Sequence, residues 1–256
     1  MIVNRPLILI SNDDGYAANG IRQLTNMVRE LGDIVVVAPE GGRSGAAMSF
    51  TSTMPVHAHK LNDADGVQVY ACTGTPCDCV KLACGQLLPR RPDLILAGIN
   101  HGDNAAINVH YSGTMAIALE GAMKKIPAIG FSSQKLAADA DFSALRPTVQ
   151  HIVKAILQQG LPSGICLNVN YPATEEFKGM RLCRMGMGDW VNELERRIDP
   201  RGRTYYWVTG SYESHDSHDE MTDTWALRNG YIAITPTQLD ITAYGAMESM
   251  KELLLP

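Results

Sequence analysis

The chain has 256 residues, of which 45% are hydrophobic and 19% charged, and its formal net charge at pH 7 is −5. This composition is typical of one large α/β domain or of a domain with an extension, and the negative charge argues against binding to a nucleic acid duplex through its phosphates. No stretch is long and apolar enough to span a bilayer, so we expect no membrane partner. The N-terminus leads into a strand pattern without a cleavage site, which favours a cytoplasmic protein.

Strand and helix patterns alternate over the first 135 residues. We expect strands at residues 6–11, 33–38, 67–72, 92–98 and 128–132, and helices at residues 19–31, 76–88 and 113–125. Thr75, Pro76 and Asp78 form a typical helix start. Near-continuous apolar strands between helices indicate a parallel sheet that is covered on both faces. The sequence therefore predicts an α/β fold with a Rossmann-like three-layer arrangement.

The second half of the chain has a different pattern. We expect helices at residues 144–159 and 245–254 and strands at residues 165–169 and 231–235, with a long hairpin turning at residues 199–202. Tyr205, Tyr206 and Trp207 would give this hairpin an apolar edge, which usually requires a partner. We therefore expect residues 1–180 to form the core. Residues 181–256 would form a hairpin and C-terminal extension for oligomerisation, not an independent domain.

Two adjacent carboxylates, Asp13 and Asp14, follow the first predicted strand in the motif SNDDG. Like charges this close raise each other's pKa unless a positive charge compensates them. A divalent cation with oxygen ligands is a natural compensator, and the carboxyl ends of parallel strands are where ligands bind in open α/β sheets. A solvated turn is the alternative, since Asn, Asp and Gly are turn formers. The position after a buried strand favours the ionic site.

Two further oxygen donors follow other predicted strands. Ser44 lies in a glycine-rich loop after the second strand, and Asn100 follows the strand at residues 92–98. Each alone is a weak signal, because Ser in such a loop is commonly a turn residue. Together with the two aspartates they form a set of hard ligands that suits Mg²⁺, Mn²⁺ or Ca²⁺.

A candidate anion site opens the helix at residues 113–125. Ser112, Gly113 and Thr114 would present free main-chain N–H groups and two hydroxyls, which suits a phosphate. Simple capping of the helix by Ser112 explains the serine equally well. Beside a metal site, phosphate binding becomes the better explanation, and a metal next to a phosphate site indicates phosphoryl chemistry.

Two other classes of nucleotide-related protein fit less well. A dinucleotide-binding oxidoreductase should show GxGxxG where this chain has SNDDG. A receiver domain also has paired acids after its first strand, but it needs an aspartate at the end of the strand where this chain has Gly98. No carboxylate is therefore available there for phosphorylation.

Several motifs together resemble the SurE survival-protein family of metal-dependent 5′-nucleotidases. They include SNDDG at 11–15, VVAPEGGRSG at 36–45, GTPCDCV at 74–80, PDLILAGINHGDN at 92–104, YSGT at 111–114, DPRG at 199–202, YYW at 205–207, TD at 222–223 and GYIAITP at 230–236. The resemblance spans nearly the whole chain, and the motifs occur in the family's order.

The resemblance implies a function and assigns residues to it. Members of the family hydrolyse nucleoside monophosphates, and some also act on 3′-nucleotides or polyphosphate. One divalent cation per subunit, Mg²⁺ or Mn²⁺, would be held by Asp13, Asp14, Ser44 and Asn100, with Asp13 and Asp14 as the catalytic residues. Asn104, Ser112, Gly113 and Thr114 would line the phosphate pocket. The hairpin and the C-terminal segment resemble elements that assemble a homodimer or homotetramer.

The chain departs from the family pattern at three positions. Ala106 stands where the family often has Gly, Glu40 where it often has Asp, and Met221 where a Gly usually precedes the Thr-Asp pair. None of these removes an expected ligand, so they bear on the rim of the pocket. His101 and His110 flank the site in sequence, and either is a candidate general acid.

The sequence therefore predicts a phosphomonoesterase acting on nucleoside monophosphates. An aspartyl-phosphate phosphatase is the competing enzyme class, and a metal-dependent nucleotide-binding regulatory module without turnover is the competing non-enzyme.

Overall fold

The computed structural model describes residues 5–61 and 66–255. Within these residues the strands are β1 (Leu7–Ser11), β2 (Asp33–Pro39), β3 (Ala58–Lys60), β4 (Gln68–Cys72), β5 (Leu94–His101), β6 (Ala128–Ser133), β7 (Ile165–Tyr171), β8 (Met180–Leu182), β9 (Gly188–Val191), β10 (Leu194–Ile198), β11 (Thr204–Val208), β12 (Ser211–Ser214) and β13 (Ile232–Gln238). The α-helices are α1 (Asn19–Val28), α2 (Pro76–Leu82), α3 (Gly113–Met123), α4 (Arg146–Gln159), α5 (Asp223–Arg228) and α6 (Met247–Leu254). No helix among these residues is long and apolar enough to cross a membrane.

Nine of the described strands form one sheet in the order β3-β4-β2-β1-β5-β6-β7-β13-β8. The six strands from β4 to β7 in this order are all parallel. β3 and β13 pair antiparallel with this block, and β8 runs parallel to β13. The predicted parallel α/β fold is confirmed, with antiparallel strands added on both sides, as is common in large sheets. β13 comes from the predicted C-terminal extension and yet belongs to the central sheet.

The sheet is covered on both faces because its strands are apolar at successive positions. In β1, Ile8 and Ile10 belong to a core cluster with residues of α1 and α4. Leu7 and Leu9, which point the other way, belong to a second cluster with residues of α2 and α3. Successive side chains of a strand alternate between faces, so one continuous apolar run supplies both layers. This arrangement is the predicted three-layer fold.

The start of α2 matches the sequence pattern. The Thr75 side chain accepts a hydrogen bond from the main-chain N–H of Asp78, and the Asp78 carboxylate accepts one from the N–H of Thr75. Pro76 follows in the first turn, where its missing N–H costs nothing.

The strand order places a crevice at the carboxyl ends of β1 and β5. On one side of β1 the sheet continues with β2 and β4, and on the other side it continues with β5, β6 and β7. β1 and β5 are therefore neighbours at the point where the order reverses. Ligands bind at this point in open α/β sheets.

A bulge in β5 directs the carboxyl end of this strand toward that crevice. The pairing of β5 with β6 shifts register between Ala97 and Asn100. Gly98, inside the bulge, has φ of 114°. A Cβ at this position would lie 2.2 Å from the main-chain oxygen of Phe131. Only glycine fits, both because of its φ and because the neighbouring strand is so close.

The predicted hairpin is confirmed and extends from the sheet as an exposed ribbon. β9 pairs with β12 and β10 pairs with β11, both antiparallel. In the turn, Asp199 accepts hydrogen bonds from the main-chain N–H groups of Arg201 and Arg203. Every residue of β10 and β11 is exposed. The apolar side chains on this ribbon have no cover within the described part of the chain.

The bulge generates a testable prediction. We expect Gly98→Ala to lower the free energy of unfolding by roughly 2–5 kcal/mol, because it adds a clash with Phe131 to the strain of a positive φ. Gly164→Ala is the matched control, since Gly164 has φ of 78° and open space around its Cα. That variant should lose only about 1–2 kcal/mol. Urea unfolding measures both, and equal losses would contradict the role given to the close approach.

Candidate active site

A cleft of about 720 Å³ lies at the switch point of the sheet, where the sequence places the functional residues. Five of the predicted site residues line it: Asp13, Ser44, Asn100, Asn104 and Ser112. The other three, Asp14, Gly113 and Thr114, do not line the cleft. Gly113 and Thr114 contact Asp13, as described below.

Asp13 is only 4% exposed and has one side-chain partner among the described residues. The Thr114 hydroxyl donates to its Oδ1 at 2.6 Å. Burial raises the pKa of Asp13 to about 6, and the charge of Asp14 acts in the same direction, while the Thr114 hydrogen bond opposes both. The carboxylate is thus fixed in position in surroundings that disfavour its charge.

Asp14, the second carboxylate, is half-buried. Burial raises its pKa, and the interaction with His101 offsets part of this effect. Its Oδ2 is buried without a hydrogen-bond partner, and so is Nδ1 of His101. Buried polar atoms are normally paired, so a carboxylate oxygen without a partner next to a second carboxylate fits the role of a cation ligand.

The turn that carries both aspartates is held by Asn12. Its side-chain amide donates to the main-chain oxygen of Gly15 at 3.0 Å and accepts from the N–H of Gly15 at 3.1 Å. The turn-forming character of SNDDG is therefore real, and it coexists with the buried carboxylate pair. The two interpretations of the motif are not alternatives in this structure.

The start of α3 lies against Asp13. A Cβ at Gly113 would lie 2.6 Å from Cβ and 2.8 Å from Oδ2 of Asp13, so only glycine permits this approach. Ser112 caps the helix, because its Oγ accepts from the N–H of Met115 at 3.0 Å. The capping role is thus confirmed. Because the N–H of Met115 bonds to Ser112 and that of Thr114 bonds to Asp13, the N–H of Gly113 remains as a first-turn donor that the helix cannot use.

The Ser44 loop is tied to the site by its main chain. The N–H of Arg43 donates to the main-chain oxygen of Asp13 at 2.7 Å, and the N–H of Ala47 donates to that of Tyr111 at 3.2 Å. Ser44 itself is exposed and lines the cleft. These two bonds bring the loop after β2 next to the aspartates.

Asn100 is oriented by a local contact. Its amide nitrogen donates to the main-chain oxygen of Gly102 at 2.8 Å, which leaves the amide oxygen pointing away from that carbonyl. An amide oxygen is a suitable ligand for a hard cation.

Asn104 belongs to a buried hydrogen-bond network that sequence reasoning missed. Its side chain donates to Ser132 Oγ, and its main-chain N–H and oxygen pair with the side chains of Asn170 and Asn168, each at 2.8 Å. Asn170 also donates to Asn168 at 2.8 Å. The signal in the sequence that could have indicated this network is the presence of two asparagines within the otherwise largely apolar run of β7.

Asp223 anchors the loop that follows Asn104. Its carboxylate accepts from the N–H groups of Ala106, Gly186 and Thr224 at 2.8–2.9 Å, and burial raises its pKa. Ala106 has φ of 51°, a conformation that favours glycine. This explains why the family often has Gly there.

The outer part of the cleft is formed by residues that the sequence did not indicate. They are Tyr111 and Leu136, together with Trp190, Glu193, Val208, Thr209 and Gly210 from the root of the hairpin. Of the two histidines considered, His101 lines the cleft, whereas His110 is exposed and does not.

The donor set fits a hard divalent cation. The described residues contain no group of three or more His, Cys, Asp and Glu side chains suited to a metal. The candidate site has two carboxylates and completes its set with neutral oxygens, which suits Mg²⁺ or Mn²⁺ better than a thiolate-preferring metal. The orphaned Asp14 oxygen is the structural observation that supports this fit.

Comparisons with known proteins identify the family of this chain. A family model described as "Survival protein SurE" matches residues 8–192. Proteins named 5′-nucleotidase SurE from Phocaeicola vulgatus and Bacteroides thetaiotaomicron are each 51% identical to this chain, over 96% of it and 96% and 95% of their own lengths. The crystal structure of the SurE protein from Aquifex aeolicus superposes with a TM-score of 0.82 at 38% identity, covering 97% of this chain and 99% of that one. This chain therefore belongs to the SurE survival-protein family.

Proposed function

We propose that this protein is a metal-dependent 5′-nucleotidase that hydrolyses nucleoside monophosphates to nucleoside and phosphate. The observation that carries the proposal is the buried carboxylate of Asp13, which lines a cleft of about 720 Å³ beside the start of α3 and is adjacent in sequence to the half-buried Asp14. Cavities of about 300–1,000 Å³ hold ligands of nucleotide size. Relatives named 5′-nucleotidase SurE at 51% identity support the same reaction.

Asp13, Asp14, Ser44 and Asn100 would hold one divalent cation per subunit, Mg²⁺ or Mn²⁺. When bound, the cation would polarise the phosphate and lower the pKa of a coordinated water. The protein's part is to keep two carboxylates ionised at a site that disfavours their charge. The Thr114 hydroxyl stabilises the ionised form of Asp13 by donating to its Oδ1. Thr114 would therefore affect the cation indirectly, through Asp13.

Asn104, Ser112, Gly113 and Thr114 would bind the phosphate. Ser112 uses its hydroxyl as a cap, and Thr114 uses both its hydroxyl and its main-chain N–H on Asp13, so the helix-start donor for the phosphate would be the main-chain N–H of Gly113. The positive end of the helix dipole would stabilise the negative charge that develops during hydrolysis. Hydrolysis of 3′-nucleotides or polyphosphate is compatible with the same phosphate site.

We also propose that the protein works as a homodimer or homotetramer in the cytoplasm. The ribbon exposes Tyr206, Trp207 and Val208 by 59%, 60% and 80%, and the apolar residues of α6 are exposed as well. An isolated two-stranded ribbon is marginal in water, so a second copy would stabilise it. The six cysteines are free thiols, which suits a reducing compartment.

Removal of the metal tests the reaction class. We expect purified protein to lose release of phosphate from AMP in EDTA and to regain it with Mg²⁺ or Mn²⁺ in excess. A regulatory module would bind AMP and release no phosphate under any of these conditions. Full activity in EDTA would show that the carboxylate pair serves another purpose.

Asp13→Asn should separate catalysis from stability. We expect turnover to be nearly abolished, while the metal-free variant becomes more stable than the metal-free wild type by roughly 1–3 kcal/mol at about pH 7.5. The raised pKa means that the folded state favours the protonated form of Asp13, so the ionised form lowers stability above about pH 6. The gain should vanish below about pH 4, where the carboxyl is protonated in both states.

Asp33→Asn is the matched control for this experiment. Asp33 is exposed and lies at the opposite end of the strands. This variant should keep the turnover of the wild type, because Asp33 does not line the cleft. An Asp13→Asn variant that keeps wild-type kcat would show that the carboxylate is structural.

Deletion of the ribbon tests the assembly. Replacing residues 194–207 with a short Gly-Ser link should shift the mass toward the monomer, because it removes the exposed aromatic surface. Metal binding measured by calorimetry should persist, because Asp13 and Asp14 lie in the loop after β1 and outside the deleted residues. A wild-type protein that is monomeric by light scattering at micromolar concentration would contradict the oligomer proposal.

A further inference from the structure

The cleft is larger and chemically more varied than a phosphate requires. Its metal and phosphate residues are Asp13, Ser44, Asn100, Asn104 and Ser112, which are all polar. The remaining lining includes the apolar side chains of Leu136, Trp190 and Val208. If the phosphate lies at these polar residues, the cleft has space for the attached nucleoside beside the apolar residues, where Asn108 and Glu193 also line it.

Trp190 is held rigidly at the edge of this space. Its indole Nε1–H donates to Oδ1 of Asn108 at 2.9 Å. It pairs with Tyr212 across β9 and β12, and the two rings meet edge to face with centroids 6.2 Å apart and an interplanar angle of 65°. The hydrogen bond and the aromatic contact restrict the orientation of the ring, which lowers the ordering cost of ligand binding.

From these contacts we propose that Trp190 is the surface on which the nucleobase of the substrate stacks, and that Asn108 positions it. The inference rests on the proposed nucleotidase function and names the group that selects nucleotides over simpler phosphomonoesters. Stacking on an aromatic ring is tolerant of base identity, because every base has a π face. The structure thus predicts strong selection for a nucleoside and weak selection among bases.

Asn108 links this surface to the phosphate site. It lies in the same loop as Asn104, whose main chain is fixed by Asn168 and Asn170, and Ala106 between them is fixed by Asp223. The loop therefore sets the position of the indole relative to the phosphate residues. Asn108 acts through Trp190 and is a positioning residue.

Paired substrates test the proposal. For Trp190→Ala we expect the ratio of kcat/KM for AMP to kcat/KM for ribose 5-phosphate to fall roughly 5- to 100-fold, which is the range that loss of one stacked base gives. Trp190→Phe keeps an aromatic face and should lose much less. Trp207→Phe is the control, because Trp207 is exposed on the ribbon and does not line the cleft. An unchanged ratio, or equal loss on both substrates, overturns the proposal.

Variants of Asn108 test the positioning role with the same ratio. Asn108→Ala removes the acceptor for the indole N–H and should lower the ratio. Asn108→Asp keeps an acceptor and should restore it, since any effect of the added charge on phosphate binding applies to both substrates. If the ratio is as low in Asn108→Asp as in Asn108→Ala, the lost hydrogen bond to Trp190 is not the cause of the lower ratio.

Fluorescence separates this inference from the proposed reaction. The chain has three tryptophans, so the Trp207→Phe, Trp225→Phe double variant leaves Trp190 as the only one. Rapid mixing with AMP should quench its emission before turnover, whereas ribose 5-phosphate should not. Phosphate release from AMP without quenching overturns the stacking surface and keeps the nucleotidase. Quenching by AMP without phosphate release supports the stacking surface and overturns the nucleotidase proposal.

Discussion

The structure is organised around two adjacent carboxylates that burial would otherwise neutralise. Asp13 and Asp14 both have raised pKa values, and burial is the largest cause in each case. Their neighbours hold them in place without supplying a full counter-charge: Asn12 fixes the turn, and Thr114 donates to Asp13. A site that concentrates negative charge and leaves an oxygen unpaired is suited to a cation that arrives from solvent. The packing of β1, whose apolar residues belong to both core clusters, offsets the free-energy cost of holding these carboxylates out of water.

The strand order determines which residues reach this pair. β1 and β5 are separated by more than eighty residues in the chain but are neighbours in the sheet, so Asp13 and Asn100 line one cleft. The bulge at Gly98 and the close approach of Gly113 are both positions where a side chain would collide with main chain or with Asp13. The glycines thus allow β5 to approach β6 closely and the start of α3 to approach Asp13.

Much of this was predictable from the sequence because it depends on local patterns. Apolar runs predicted the long strands, the Thr75–Asp78 pattern predicted a helix start, and polar residues at strand ends predicted the part of the cleft around Asp13. The short strands β3, β8 and β12 and the helix α5 were not predicted, since they are stabilised by pairing and packing with distant segments. For the same reason no pattern near Trp190 indicated the cleft: its contact with Asn108 joins residues that are far apart in sequence.

The loop after β5 connects the two halves of the site. It begins at the buried asparagine network around Asn104 and passes through Ala106, whose positive φ is held by a hydrogen bond to Asp223. Strain at a non-glycine residue persists only where surrounding contacts fix it, and Asp223 supplies such a contact. The TD motif at residues 222–223 therefore matters to the cleft although it does not line it. Because the same loop carries Asn108, a carboxylate far along the chain helps to position Asn104 relative to the indole of Trp190.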